Sequence, residues 1–193
     1  MSLAPWRSRL ARALQYSRTK PESRYFQLAT ITTDGLPANR TVVFRGFLDD
    51  TNQLKIITDI RSQKCEEIRQ QAAAEACWYF TGTREQFRIR GELLMVDVNY
   101  PDLKLQHVRQ QTWQNLSDAA RIQFFWANPG EKRADAAAFS PPPTDEINPG
   151  VNFCLLLLDP VKVDYLQLRG EPQNRRLYIQ DESGNWSDFE INP

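Results

Sequence analysis

Arg40 and Arg45 bracket Thr41-Val42-Val43-Phe44, and Thr58, Ser62 and Lys64 follow in the next stretch of chain. Guanidinium, hydroxyl and ammonium groups are the side chains that grip a phosphate, because each donates hydrogen bonds and two of the three types carry charge. Ser62 and Lys64 also open an expected helix, whose free N–H groups and positive dipole end attract an anion. The chemistry assembled here is anion binding. A plain capped helix with a surface lysine would be written in the same letters, since serine caps are common.

Other chemistries find less material. His107 is the only histidine and stands between residues of an expected helix, so it is read as an ordinary helix histidine. A zinc site of the usual kind wants several His or Cys ligands at short spacing, and a Ser-His-Asp arrangement would depend on His107 alone. The acid pairs Glu66-Glu67 and Asp49-Asp50 fall at a helix start and in a turn, where they have structural roles. The three cysteines, Cys65, Cys77 and Cys154, form no C-x-x-C, which fits reduced thiols in a cytoplasmic protein. No G-x-G-x-x-G or G-x-x-x-x-G-K is present.

Charge and hydropathy narrow the partners. Lys+Arg and Asp+Glu both number 24, so no global field favours nucleic acid or an anionic membrane, and an anion must be held locally. The longest apolar run, Phe153 to Leu158, has strand length, whereas a membrane span needs about 20 residues. Trp113, Phe124, Phe125 and Trp126 are read as packing, and Trp78-Tyr79-Phe80 as barrel filling.

The elements that must position the basic groups are mostly strands. YFQLATITT and NRTVVFRGF, joined across Asp34-Gly35, predict a hairpin. LKIIT predicts a third strand, and Asp59 and Ser62 offer caps for a helix through Arg69. AEACWYF and EQFRIRGELLMVDV predict strands joined across Thr81 to Arg84, with Gly82 for the turn. Two helices are expected over Tyr100 to Trp113 and Ser117 to Trp126. VNFCLLLLDPVKVDYLQLR, RRLYIQ and NWSDFEI predict three or four more strands, punctuated at Asp159-Pro160 and Ser183-Gly184.

Short turns and inserted helices, without regular βαβ crossovers, predict one mainly β (α+β) domain over residues 1–193, an antiparallel barrel. Residues 1–20 open with Trp6, Leu10, Ala13 and Leu14 at helical spacing, predicting a helix laid on the barrel with its arginines as a solvated face. The same acid-free, arginine-rich start also suits an organelle presequence. Residues 128–150 hold a proline cluster and exceed an ordinary connection, so they are expected to form a long surface excursion.

The ordered set of motifs resembles the pyridoxamine 5′-phosphate oxidase family of FMN-binding split-barrel flavoproteins, from about Tyr25 to Val96 with a weaker C-terminal echo. Arg40-Thr41-Val42-Val43-Phe44-Arg45 is similar to the family's Arg-x-Val-Leu-Leu-Lys strand. Ile57-Thr58 and Ser62-Gln63-Lys64 resemble its Tyr-Thr strand end and Ser-Arg-Lys helix start. Glu85-Gln86 is similar to its Arg-Gln pair, whose glutamine touches the flavin, and Arg175 keeps a basic position near the C-terminus.

The resemblance implies a split barrel with peripheral helices and FMN held by these residues. It also implies a homodimer in which both subunits hold each flavin, and hydride transfer from a small substrate of unknown identity. Glu171 and Gln173 stand where the family's oxidases carry an Arg-x-His segment, and the tryptophan expected near Leu166 is missing. A glutamate in a cationic clamp repels a phosphorylated substrate, which argues against oxidation of pyridoxamine phosphate itself. A flavin-binding sensor or carrier without turnover and a haem-binding split barrel are the alternative functions.

Overall fold

The computed structural model describes residues 3–193. Its strands are β1 (Tyr25–Ile31), β2 (Pro37–Val43), β3 (Leu54–Asp59), β4 (Ala73–Phe80), β5 (Glu85–Val96), β6 (Phe153–Gln167), β7 (Asn174–Gln180) and β8 (Trp186–Ile191). Every pairing among them is antiparallel. The sheet runs β2-β1-β4-β5-β6-β7-β8, and β3 pairs with β6. Beyond Val43 the chain turns onto β3: Arg45 N donates to Lys55 O at 2.9 Å and Lys55 N to Gly46 O at 2.8 Å. Those bonds close the ring β2-β1-β4-β5-β6-β3 and remove its free edges.

The barrel is split by β6. Its first half pairs with β3 (Leu158 with Leu54 to Phe153 with Asp59), and its second half pairs with β7 (Lys162 with Ile179 to Gln167 with Asn174). β5 follows β6 throughout, with a register shift between Arg90 and Gly91 that skips Val161. Asp159-Pro160, expected to end a strand, lies inside this 15-residue strand instead. Proline is tolerated at such a bulge, where the ladder is already interrupted. A Cβ on Gly91 would stand 1.9 Å from Asp159 O, so only glycine allows the two strands this close.

Alternation along the strands fills the barrel. Phe26, Leu28, Ile56, Trp78, Phe87 and Leu156 are buried, while Tyr79, between Trp78 and Phe80, faces outward. Two of the three adjacent aromatics therefore fill the barrel. Helix α1 (Pro5–Tyr16) covers one end. Trp6, Leu10 and Ala13 are fully buried, with Trp6 against Trp186 at 5.9 Å. Burial of side chains such as Trp6 and Leu10 contributes about 1.5–3 kcal/mol each. Met1 and Ser2, the start of the expected helical segment, lie outside the described residues.

The arginines of α1 are not simply solvated. Arg7 sits 4.3 Å over the Phe47 ring, Arg9 lies 5.0 Å over Tyr165, and Arg12 is 3.7 Å from buried Glu85. The Glu85 carboxylate accepts the Tyr165 hydroxyl at 2.5 Å. Burial, reinforced by that carboxylate, pushes the Tyr165 phenol up to about 12.

Three further helices flank the barrel: α2 (Gln63–Gln70), α3 (Leu103–Gln114) and α4 (Asp118–Arg121). Asp102 caps α3 by accepting from Lys104 N and Leu105 N. The helix expected to reach Trp126 stops at Arg121 and continues as a 3₁₀ turn, Ile122–Phe125. That tighter turn packs Phe124 against Trp113 at 5.8 Å and Phe153 at 5.0 Å. Between β4 and β5, Arg84 rather than Gly82 adopts the left-handed conformation, with φ of 57°. None of the described helices is long and apolar enough to cross a membrane.

Candidate functional site

A cleft of about 710 Å³ opens beside β2 and β3. One wall comes from β2, its continuation to Arg45, the end of β3 and Lys64. The other comes from α4, the 3₁₀ turn after it and the chain as far as Phe139. Of the residues singled out from sequence, Arg40, Thr41, Val42, Val43, Arg45, Ile57, Thr58 and Lys64 line this cleft. The excursion beginning at Asn128 supplies part of the second wall, so it does more than decorate the surface.

The strongest anion-holding corner is where β3 meets α2. Lys64 Nζ donates to Thr58 Oγ1 at 3.0 Å and Ser62 Oγ at 3.1 Å. Ser62 occupies the N-cap position, yet its hydroxyl donates to Asp59 O at 2.7 Å and makes no cap bond. The serine side-chain cap expected from sequence is therefore missing; Cys65 N bonds to Ser62 O at 2.9 Å, which leaves the N–H groups of Gln63 and Lys64 for another acceptor. Gln63 is the first residue of that helix and is not among the cleft-lining residues.

Two cations of the cleft stand outside any ion pair. Among the described residues neither Arg45 nor Lys64 makes an ion pair. Burial lowers the Lys64 pKa from its ordinary value, with Arg40 adding to the effect. Burial also lowers that of Arg45, aided by Arg24. Arg45 Nε is buried with no hydrogen-bond partner. The desolvated Lys64, the two hydroxyls and the start of α2 fit a phosphate group, and Arg45, opposite Lys55 further along β3, brings a second desolvated cation and an orphaned donor to the same cleft.

Arg40 is differently engaged. Its Nη2 donates to Glu67 Oε2 at 2.9 Å, and Nη1 reaches Thr30 Oγ1 and, at 3.3 Å each, the carbonyls of Leu28 and Ala38. Glu67 is buried, so this arginine neutralises an interior carboxylate while edging the cleft. Arg40 thus ties α2 to the hairpin of β1 and β2.

Gln86 and Arg175 lie elsewhere. Gln86 pairs with Leu166, and Leu166 with Arg175, so the three form one row on the outer sheet face. β5 is three strands from β2, about 14 Å at the usual strand spacing. Arg175 forms a double hydrogen bond with Asp164 at 3.0 and 2.7 Å, which raises its pKa. Within one subunit these two residues and the Lys64 corner do not converge. His107 is exposed on α3, bonded to Gln111 and outside the cleft.

Arg61 escaped notice in the sequence. Its guanidinium holds Asp59 at 2.9 and 2.6 Å and also donates to Trp126 O at 3.1 Å and Asn128 Oδ1 at 2.9 Å. It fastens the second wall of the cleft to the end of β3. The Asp-x-Arg spacing was readable, but partners more than sixty residues away were not.

Comparison with known proteins agrees with this geometry. The family profile described as pyridoxamine 5′-phosphate oxidase, FMN-binding domain, matches residues 3–97. A protein of Arabidopsis thaliana named pyridoxine/pyridoxamine 5′-phosphate oxidase 2 is 36% identical over 201 residues, covering 99% of this chain and 98% of that one. A crystal structure of a pyridoxamine 5′-phosphate oxidase-related, FMN binding protein from Nostoc punctiforme PCC 73102 is 56% identical, with a TM-score of 0.97 and full coverage of both chains. PhzG from Burkholderia lata 383 shares the fold at 18% identity, with a TM-score of 0.78 over 96% of this chain and 91% of that one. An eight-stranded split barrel, an anion-gripping cleft and these full-length likenesses agree: the chain belongs to the pyridoxamine 5′-phosphate oxidase-related family, whose cofactor is FMN.

Proposed function

We propose that this protein is an FMN-dependent oxidoreductase that works as a homodimer and takes hydride from a small organic substrate or reduced nicotinamide. The observation that carries the reading is Lys64, without an ion pair beside the Thr58 and Ser62 hydroxyls, in a cleft that Arg45 also lines. FMN bound in the cleft supplies the two-electron chemistry. The protein's share is to hold the phosphate at Lys64, Arg45 and the start of α2, and to keep that corner dry.

The position of Gln86 and Arg175 supports the dimer. A second copy that lays its outer sheet face over the cleft brings both residues to the ring end of the flavin, completing a site that one subunit leaves open. Exposed Tyr79 and half-buried Leu166 on the same face suit such an interface. All three cysteines are free, which suits a reducing compartment such as the cytoplasm.

The relative from Arabidopsis thaliana carries an oxidase name, which supports oxidoreductase chemistry. Glu171 and Gln173 sit exposed and half-buried in the loop before β7, where they offer no cation to a phosphorylated substrate. This argues against pyridoxamine phosphate as the substrate. Anaerobic mixing of FMN-loaded protein with NADH, NADPH and pyridoxamine phosphate tests the reading. Bleaching of the flavin band by a nicotinamide supports it. Photoreduction with oxygen reoxidation, but no reduction by any organic donor, supports a carrier instead.

A further inference from the structure

Glu85 opens β5 and Gln86 follows it, so the two point to opposite faces of the sheet, the carboxylate inward and the amide outward. A buried carboxylate is costly unless it finds partners, and Glu85 is only 2% exposed. Its partners come from two other segments. Tyr165 of β6 donates its hydroxyl at 2.5 Å, and the Arg12 guanidinium of α1 stands 3.7 Å away. Arg9, nearly one helical turn before Arg12, lies 5.0 Å over the Tyr165 ring.

The place of this carboxylate gives it leverage. Phe80 and Glu85 form the last pair before the turn between β4 and β5, where a hairpin opens most easily. Side chains alternate with a period of two, so a slip of one residue there would exchange the faces of Glu85 and Gln86. The buried carboxylate opposes that slip, because it would lose both its partners. α1 also touches the turn a second time. A Cβ on Gly82 would stand 3.0 Å from Tyr16 Cε1, so the Tyr16 ring lies against the turn. The chain just past β6 ties the turn down as well, with Leu168 N donating to Arg84 O at 2.9 Å and Arg169 Nη2 to Gly82 O at 2.8 Å.

We propose that Glu85 is a positioning residue for the flavin, acting through Gln86: held by Tyr165 and Arg12, it fixes the end of β5 so that the Gln86 amide faces the flavin ring. The proposal rests on the flavin and dimer reading above. It brings into the site α1, a helix that lines no part of the cleft. The family's pair is Arg-Gln, so this chain reverses the charge beside the glutamine. Arg12 and Arg9 supply the opposite charge from α1, which makes the reversed pair workable.

The test is a double-substitution cycle: Glu85→Gln and Gln86→Ala are made singly and together, and each apo-protein is titrated with FMN and with riboflavin by flavin fluorescence. Glu85→Gln, which keeps an acceptor for Tyr165, weakens both flavins by the same factor, about threefold or more, as coupling between neighbouring residues allows. The ratio of the two affinities, which reads the phosphate corner, stays at its wild-type value. In the Gln86→Ala background the Glu85 substitution has no further effect. Arg12→Gln, at an exposed position, repeats the loss in smaller measure without altering the interior, and Arg12→Lys restores binding. That second pair decides the question if Glu85→Gln does not fold. A Glu85→Gln protein that unfolds earlier in urea yet binds both flavins as the wild type does is a structural variant only, and overturns the proposal. A loss confined to FMN, an equal loss with and without Gln86, or an Arg12→Gln protein with wild-type affinity also overturns it. Gln86→Ala protein with wild-type affinity removes Gln86 from the ring and the proposal with it, whereas wild-type protein that binds neither flavin overturns the flavin reading beneath.

Discussion

Lys64 Nζ lies 3.0 Å from Thr58 Oγ1, so the last turn of one strand and the first turn of the next helix share a single uncompensated cation. Replacing Lys64 by alanine removes a charged donor from the phosphate corner without leaving an unpaired carboxylate. FMN affinity is expected to fall about 10- to 100-fold, from the ~1.5–3 kcal/mol of a charged hydrogen bond. Fluorescence titration of apo-protein with FMN measures it, and an unchanged Kd removes Lys64 from the site.

The same residue sets a pH dependence. Burial lowers the Lys64 pKa in the free protein, and a bound phosphate raises it again by favouring the charged form. FMN affinity is therefore full below the lowered pKa and declines as pH rises through it, beginning below the ordinary lysine value of about 10.4. Folding stability takes the opposite sign. Between the lowered pKa and the ordinary one the unfolded chain holds the extra proton, so stability of the apo-protein rises with pH. Titrations of wild type and Lys64→Gln over alkaline pH separate the two, because the glutamine variant shows neither slope.

Arg40 is expected to act on stability first. Removing it leaves Glu67 charged in the interior, with Oε1 already unpartnered and Oε2 deprived of its cation. Arg40→Ala is expected to lose about 3 kcal/mol, the low end for breaking a buried pair because the arginine is partly exposed. Urea unfolding of the apo-protein checks this. Full stability in the variant, with lost FMN binding, would move Arg40 from scaffold to ligand contact.

Gly91→Ala tests the split of the barrel. The added methyl meets the Asp159 carbonyl where β6 passes from β3 to β7. The strands must separate there, at about 1–3 kcal/mol for overpacking. A lowered unfolding midpoint in denaturant is the expected result, and an unaltered midpoint would show that the bulge yields freely.

A mixed-subunit experiment tests the shared site. Lys64→Ala and Gln86→Ala subunits, refolded together, form heterodimers with one doubly altered site and one intact site. Affinity for FMN should return to the wild-type value in half the sites of the heterodimer. A mixture that behaves as the average of its parents, or a protein that sediments as a monomer with full FMN affinity, contradicts the arrangement.

The strands were legible because each is a short run of alternating burial: YFQLATI, LKIIT and AEACWYF all read correctly from their periodicity. The stripe of Trp6, Leu10 and Ala13 likewise gave α1. Pro160 misled because proline ends most strands, and only the close approach of Gly91 reveals the bulge that admits it. Half the candidate site was readable as local motif, since Thr58, Ser62 and Lys64 are neighbours in sequence. Arg61 was not, because its role arises from contacts between distant segments that no local spacing encodes. Gln86 and Arg175 were recognised by resemblance, and their distance from the cleft within one chain is a property of the pairing order.

The most direct test of the whole account is equilibrium titration of the purified apo-protein with FMN and with riboflavin, which lacks the phosphate. The account predicts one FMN per chain, binding much more tightly than riboflavin, with the difference erased in an Arg45→Gln/Lys64→Gln double variant. Equal affinity for the two flavins in the wild type, or a difference that survives the double substitution, would contradict the assignment of the cleft as the phosphate site.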